Sequence, residues 1–378
     1  MRRLLDKHPA DCLAVITSTA GVSHSQAMNL LGCRHIAIPV FSESRFPWLR
    51  RLKSAGNRLC LALVTLRAIL ETRRRRVDAV ITVIQGRYYL AAGLACWVTA
   101  TPLIAIVHDN FVSSNAAAWD FLARLQRRLT TKILQRAGQI YAVSPEMQRL
   151  VFSECGRQAE IQFPSSRRPA RQAERNAGVT RSGGPVILFA GTLGYTVNDC
   201  LDLLAGLITT GQLKEYGVSG ARLRLCAALT EEELQKRGWK HPDIEVRGWV
   251  SQMELHEELC RADILFLPYS FSENAREAVE TAFASKTADY LAAGKPVLVF
   301  GPKNSTLVRY ASEQGFAEVV DEFSSAALAR GIQNIESSPV YRERLAARAL
   351  EVFSANHDIE VQEHRFYLDI ERIVRASN

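Results

Sequence analysis

The stretch ASKTADYLAAGKPVLVFG, residues 284–301, places a serine and a lysine ahead of a short helical segment. Gly294 ends that segment, and Lys295-Pro296 opens an apolar run rich in valine. Glycine just past the last helical turn and proline just beyond it are stop signals. A four- to six-residue β-branched run after them reads as a buried strand. Ser285 is predicted to be the N-cap, with its hydroxyl taking a free amide of the first turn. A helix start offers unpaired N–H groups and partial positive charge, and Lys286 adds a full charge there. The local sequence suits an anion; taken alone it suits an ordinary capped helix with a solvent-facing lysine better.

The same helix-then-strand unit recurs on both sides. Upstream, VILFAG (186–191), LRLCAAL (223–229), IEVRGWV (244–250) and DILFLPYS (263–270) read as strands, as do PVLVFG (296–301) and FAEVVD (316–321) downstream. Helical patterns separate them, and two helical stretches, 338–353 and 357–376, close the chain. A first series precedes these: CLAVITS (12–18), HIAIPV (35–40), DAVITVI (78–84), PLIAIVHD (102–109) and GQIYAVS (138–144), again alternating with helices. Such alternation implies parallel strands joined by crossover helices. Between the series, residues 166–185 are polar, charged and hold a Gly-Gly, as a linker would. The expected organisation is α/β with two Rossmann-like doubly wound domains facing a cleft. Residues 1–165 form the N-terminal domain, 166–185 the linker and 186–345 the C-terminal domain. Helices over 346–378 cross back to the N-terminal one. Ligands of such sheets bind beyond the carboxyl ends of the strands.

Composition narrows the function classes. The 378 residues are 47% hydrophobic and 23% charged, which is an ordinary globular balance. Eight scattered cysteines without a C-x-x-C pair imply reduced core thiols and no metal site. The net charge of +8 suits phosphate-bearing substrates or an anionic membrane face. No base-reading motif points to nucleic acid. The twenty uncharged residues 88–107 have the length of a membrane span, but Thr99-Ala100-Thr101-Pro102 divides them into a helix and a buried strand. No signal peptide is apparent, so a cytoplasmic protein is expected.

SKTADYLAAGKPVLV, preceded by IEVRGWVSQMELHEELCRADILFLPYS, resembles the C-terminal domain of GT-B glycosyltransferases of the family 4 type, including polysaccharide-assembly members. These commonly carry Pro-Ser-Lys-x-x-Glu-Tyr-x-Ala-x-Gly-x-Pro-Val; here Ala284 replaces the proline and Asp289 the glutamate. IYAVSPEMQRL (140–150) and VILFAGTLG (186–194) are similar to two further segments of that family. The resemblance implies a nucleoside-diphosphate sugar as substrate, no further cofactor and no metal, in keeping with the lack of an Asp-x-Asp signature. It implies that Ser285 and Lys286 lie against the pyrophosphate and that Asp289 accepts hydrogen bonds from a ribose or sugar hydroxyl. Backbone around Trp249 and Val250 would face the base, and Gly191, Thr192 and Gly194 would let the chain approach the phosphates. His108 and Asp109, at a strand's carboxyl end, are the catalytic candidates of the N-terminal domain, with Glu280 as a third. The acceptor would be a glycan or a lipid-linked glycan and the outcome retaining.

The chain also departs from the family. Paired glutamates with seven residues between them would need one at Thr281; Glu280 is one residue off. GTLGYTVNDCLDLL lacks the basic residues common there, which leaves Lys286 with more of the phosphate charge. LLDKHPADCLAVITS reads either as a helix end before a strand that is second in the fold, or CLAVITSTAGVS is strand one with its loop and a short helix over 24–31. Arg45, Arg50, Arg51, Lys53 and Arg58 with Phe46, Trp48 and Leu49, and Arg73 to Arg76, suit either an anionic membrane or a helix dipole. The rival readings are a nucleotide-sugar epimerase of the same architecture and an inactive scaffold or binding subunit.

Overall fold

In a computed structural model the protein is described over residues 2–5, 14–18, 34–38, 47–86, 88–111, 121–168 and 183–377. The middle of the expected linker, the expected helix over 24–31, and Arg45 and Phe46 lie outside the described residues. The chain divides into two units, Met1–Gln162 with Glu363–Asn378, and Phe163–Gln362.

In the first unit, β1 (Ala14–Ser18) pairs in parallel with β2 (Arg34–Ile38), Ala14 opposite Arg34. A second parallel sheet runs in the order β3 (Val80–Val83), β4 (Leu103–Val107), β5 (Gln139–Ala142) and β6 (Glu160–Ile161). The uncharged stretch 88–107 is the helix Tyr88–Thr99 followed by β4, and Ala100, at φ 57°, makes the turn between them. Among the described residues no helix is long and apolar enough to cross a membrane. The last helix, Ile359–Ser377, joins this unit from Glu363 on. Tyr141 donates to Asp369 at 2.6 Å and packs its ring on Phe366.

The second unit holds one parallel six-stranded sheet in the order β12-β11-β10-β7-β8-β9. These are β7 (Val186–Ala190), β8 (Arg222–Cys226), β9 (Ile244–Val246), β10 (Ile264–Pro268), β11 (Val297–Phe300) and β12 (Ala317–Val320). Every residue of β7, β10 and β11 is buried, as expected where helices cover both faces of a parallel sheet. The order is that of a doubly wound sheet: the chain builds outward through β7, β8 and β9, then restarts on the other side of β7 with β10. Helix Arg276–Thr281 and the short β6, which the apolar pattern does not foretell, are additions.

A buried histidine fixes the first residues of this unit. The His357 ring donates from Nδ1 to the Pro164 carbonyl at 2.7 Å and accepts at Nε2 from the Tyr310 hydroxyl at 2.9 Å. Phe163 and Phe283 pack against it. Burial lowers the His357 pKa from 6.5 to about 4, against the smaller raising effect of the Pro164 carbonyl. The unfolded chain takes a proton below about pH 6.5 while the native ring stays neutral. Stability is therefore expected to fall by about 3 kcal/mol as the pH drops from 6.5 toward 4. Urea titrations across that range check this; His357→Asn flattens that part of the curve if the ring is its source.

Candidate functional site

The hydrogen-bond ladder between β7 and β10 is short. Ile187 pairs with Ile264 and Leu188 with Leu265, and beyond these the strands part. The Tyr290 hydroxyl bridges the gap: it accepts from the Ala190 amide at 2.8 Å and donates to the Phe266 carbonyl at 3.3 Å. Burial raises its pKa, so the phenol stays protonated and able to do both. Past this bridge, at the topological switch point, lies a cavity of about 420 Å³. Gly191 and Thr192 follow β7 along its wall, Pro268 and Tyr269 belong to the end of β10, and Trp249 and Val250 come from the loop after β9. Ala284, Ser285 and Lys286 close it.

Local sequence explains each wall. The Gly191 amide donates to the Cys226 carbonyl at 3.2 Å, and a side chain there would meet the Phe189 ring at 3.2 Å. Gly248, at φ 70°, turns the chain after β9 and leaves Trp249 77% exposed. Tyr269 donates to the Ala282 carbonyl at 3.1 Å, fixing the segment that enters the Ser285 turn. Among the described residues lining the cavity, Lys286 carries the one formal charge, so an anionic ligand is favoured.

Several expected site residues lie elsewhere. Ser285 is not the N-cap. The helix is Thr287–Ala293, with Lys286 at its N-cap position and no side-chain cap, because a turn closed by Thr287 N–H to Ala284 C=O comes first. Ser285 is exposed in that turn and lines the cavity. Asp289 does not line it. The carboxylate is 3% exposed, accepts from Ser166 Oγ at 2.6 Å and Gln252 Nε2 at 3.0 Å, and sits 3.6 Å from Lys286 Nζ. Gly194 stands back from the cavity and accepts from the Val197 and Asn198 amides, starting helix Asn198–Thr209. Glu280 is held in helix Arg276–Thr281 by Arg276 Nε at 3.1 Å and by the Asn304 amide, and is not part of the lining.

In the first unit His108 and Asp109 follow the carboxyl end of β4. His108 is half-buried, and burial lowers its pKa, favouring neutral imidazole. Asp109 is exposed and accepts from Gln85 Nε2 at 3.0 Å. Among the described residues no three His, Cys, Asp or Glu side chains gather as a metal site.

Tyr290, which bridges β7 and β10, is the residue to which the sequence pattern assigns no role. Tyr290 stands in the 284–301 stretch itself, and it is the one aromatic residue of the helix Thr287–Ala293. Tyr290→Phe is expected to destabilise the protein by about 1–3 kcal/mol, since the Ala190 amide loses its acceptor. Chemical denaturation measures this.

Residues 2–162 match the profile of Glycosyltransferase Family 4. No curated protein matches the chain. Among solved structures, Anabaena HepE in complex with UDP and glucose is 12% identical, with a TM-score of 0.67 over 98% of this chain and 94% of that one. Sucrose-phosphate synthase from Thermosynechococcus elongatus is 13% identical, TM-score 0.64, over 96% and 89%. The alpha,alpha-trehalose 6-phosphate synthase of Burkholderia multivorans is 12% identical, TM-score 0.66, over 98% and 100%. The chain is thus family 4-like, with the match carried by residues 2–162, and its fold is that of the GT-B glycosyltransferases.

Proposed function

We propose that the protein is a glycosyltransferase that moves a sugar from a nucleoside diphosphate to a glycan or lipid-linked glycan in the cytoplasm, with retention and without a metal. One observation carries this reading: the switch-point cavity whose described lining has Lys286 as its single charge. Breaking the glycosidic bond leaves negative charge on the diphosphate. A fixed ammonium aimed at that charge gains more in the transition state than in the ground state. Gly191 and Thr192 bring backbone close to the phosphates, and the Trp249–Val250 segment faces the base. His108, as neutral imidazole, is assigned a proton-shuttling role and Asp109 the acceptor hydroxyls.

A second surface supports a lipid-linked acceptor. Leu63, Leu66 and Leu70 are exposed at i, i+3 and i+7 on helix Pro47–Arg75, which ends in Arg73, Arg74 and Arg75. Apolar and arginine side chains on one helix suit an anionic bilayer.

Two measurements test the reading. A saturating nucleoside diphosphate, at a hundredfold its dissociation constant, is expected to stabilise the protein by roughly 2.7 kcal/mol in thermal shift. Lys286→Ala is expected to weaken that binding at least tenfold, about 1.4 kcal/mol. No shift with any nucleotide favours a scaffold, and an epimerised sugar recovered without acceptor favours an epimerase. In sedimentation, vesicles rich in phosphatidylglycerol are expected to retain the protein and phosphatidylcholine vesicles to release it, with Leu66→Asp lowering retention.

A further inference from the structure

Asp289 stands where a carboxylate would be expected to read the donor's ribose, yet its surroundings point elsewhere. Its Oδ1 accepts two hydrogen bonds from the protein, from Ser166 Oγ at 2.6 Å and Gln252 Nε2 at 3.0 Å. Its Oδ2 is 3.6 Å from Lys286 Nζ. Ser166 is itself fixed: its amide donates to the His357 carbonyl at 2.9 Å and its carbonyl accepts from the Ile359 amide at 3.0 Å. His357 in turn holds the Pro164 carbonyl. Gln252 opens the helix Gln252–Arg261, whose N-cap Ser251 and first-turn partner Glu254 form a capping box. The carboxylate is therefore anchored from two distant parts of the chain, 123 and 37 residues away. A long, flexible lysine loses rotamer freedom when it engages a ligand, and a neighbouring fixed anion sets its direction beforehand.

We infer that Asp289 is a positioning residue that holds the Lys286 ammonium at the cavity wall, and that it does not bind the donor's ribose. The inference rests on the nucleotide-binding reading above. Ser166 and Gln252 are the anchors that keep the carboxylate facing the lysine.

A double-mutant cycle tests it, with UDP and 2′,3′-dideoxy-UDP as probes in calorimetry on the full chain. Asp289→Asn keeps the oxygen that accepts from Ser166 and Gln252 and removes the charge opposite Lys286. It is expected to weaken both nucleotides about fivefold and equally. In the Lys286→Ala background the same change is expected to have no further effect. A loss confined to UDP would show that Asp289 meets the ribose and would overturn the inference. So would a loss of undiminished size without Lys286, an unchanged affinity, or a tighter one. Should Asp289→Asn not fold, Ser166→Ala serves: it leaves the charge and removes one anchor, and about a twofold equal loss for both probes is expected, again absent without Lys286. An unchanged affinity or a loss for UDP alone in that variant contradicts the inference. Failure of the wild-type chain to bind UDP or any other nucleoside diphosphate would instead overturn the nucleotide-binding reading beneath it.

Discussion

The second unit depends on one bridge. Strands β7 and β10 pair over only two residues before they diverge, and the Tyr290 hydroxyl spans the gap by serving Ala190 and Phe266 together. A divergence of this kind is forced by the strand order, because the chain leaves β7 toward one edge of the sheet and β10 toward the other. Without a third partner, two buried backbone groups would go unpaired just where the sheet opens. The tyrosine satisfies them and leaves the space above them for a ligand. Gly191, the Ser285 turn and the Trp249 loop are then placed by the sheet, and the cavity follows from the topology.

Charge at this site is sparse, and its placement matters more than its amount. The net charge of +8 belongs to the whole chain, while the described cavity lining holds a single lysine. That lysine is oriented by Asp289, which is fixed by residues from the start of the unit and from the helix after β9. His357 secures the same starting segment from the other side. Binding chemistry and the anchoring of Phe163–Ser166 thus share one network of buried polar groups. Such networks are costly to leave half-satisfied, which is why each member has a partner drawn from elsewhere in the sequence.

Much of the architecture was legible in the sequence, for a physical reason. Strands buried on both faces need apolar residues throughout, so VILFA, ILFLP and VLVF announce themselves without any partner being known. Gly294 and Pro296 likewise mark a helix end and a strand start. Side-chain roles were harder. Ser285 has the chemistry of a cap, but the preceding turn delays the helix by one residue more, which no local pattern encodes. Asp289 has the chemistry of a hydroxyl ligand, but its partner Ser166 lies 123 residues away. Helix Arg276–Thr281 is too short and too polar to show a period, so Glu280 was judged without the Arg276 and Asn304 that hold it.

In the proposed complex a diphosphate sits at the carboxyl ends of β7 and β10 against Lys286. A crystal structure of the protein with UDP tests it most directly. A phosphate oxygen is expected within about 3 Å of Lys286 Nζ, with the phosphates close to the Gly191–Thr192 backbone. Nucleotide density elsewhere on the chain, or in this cavity with the ammonium turned away from the phosphates, would contradict it.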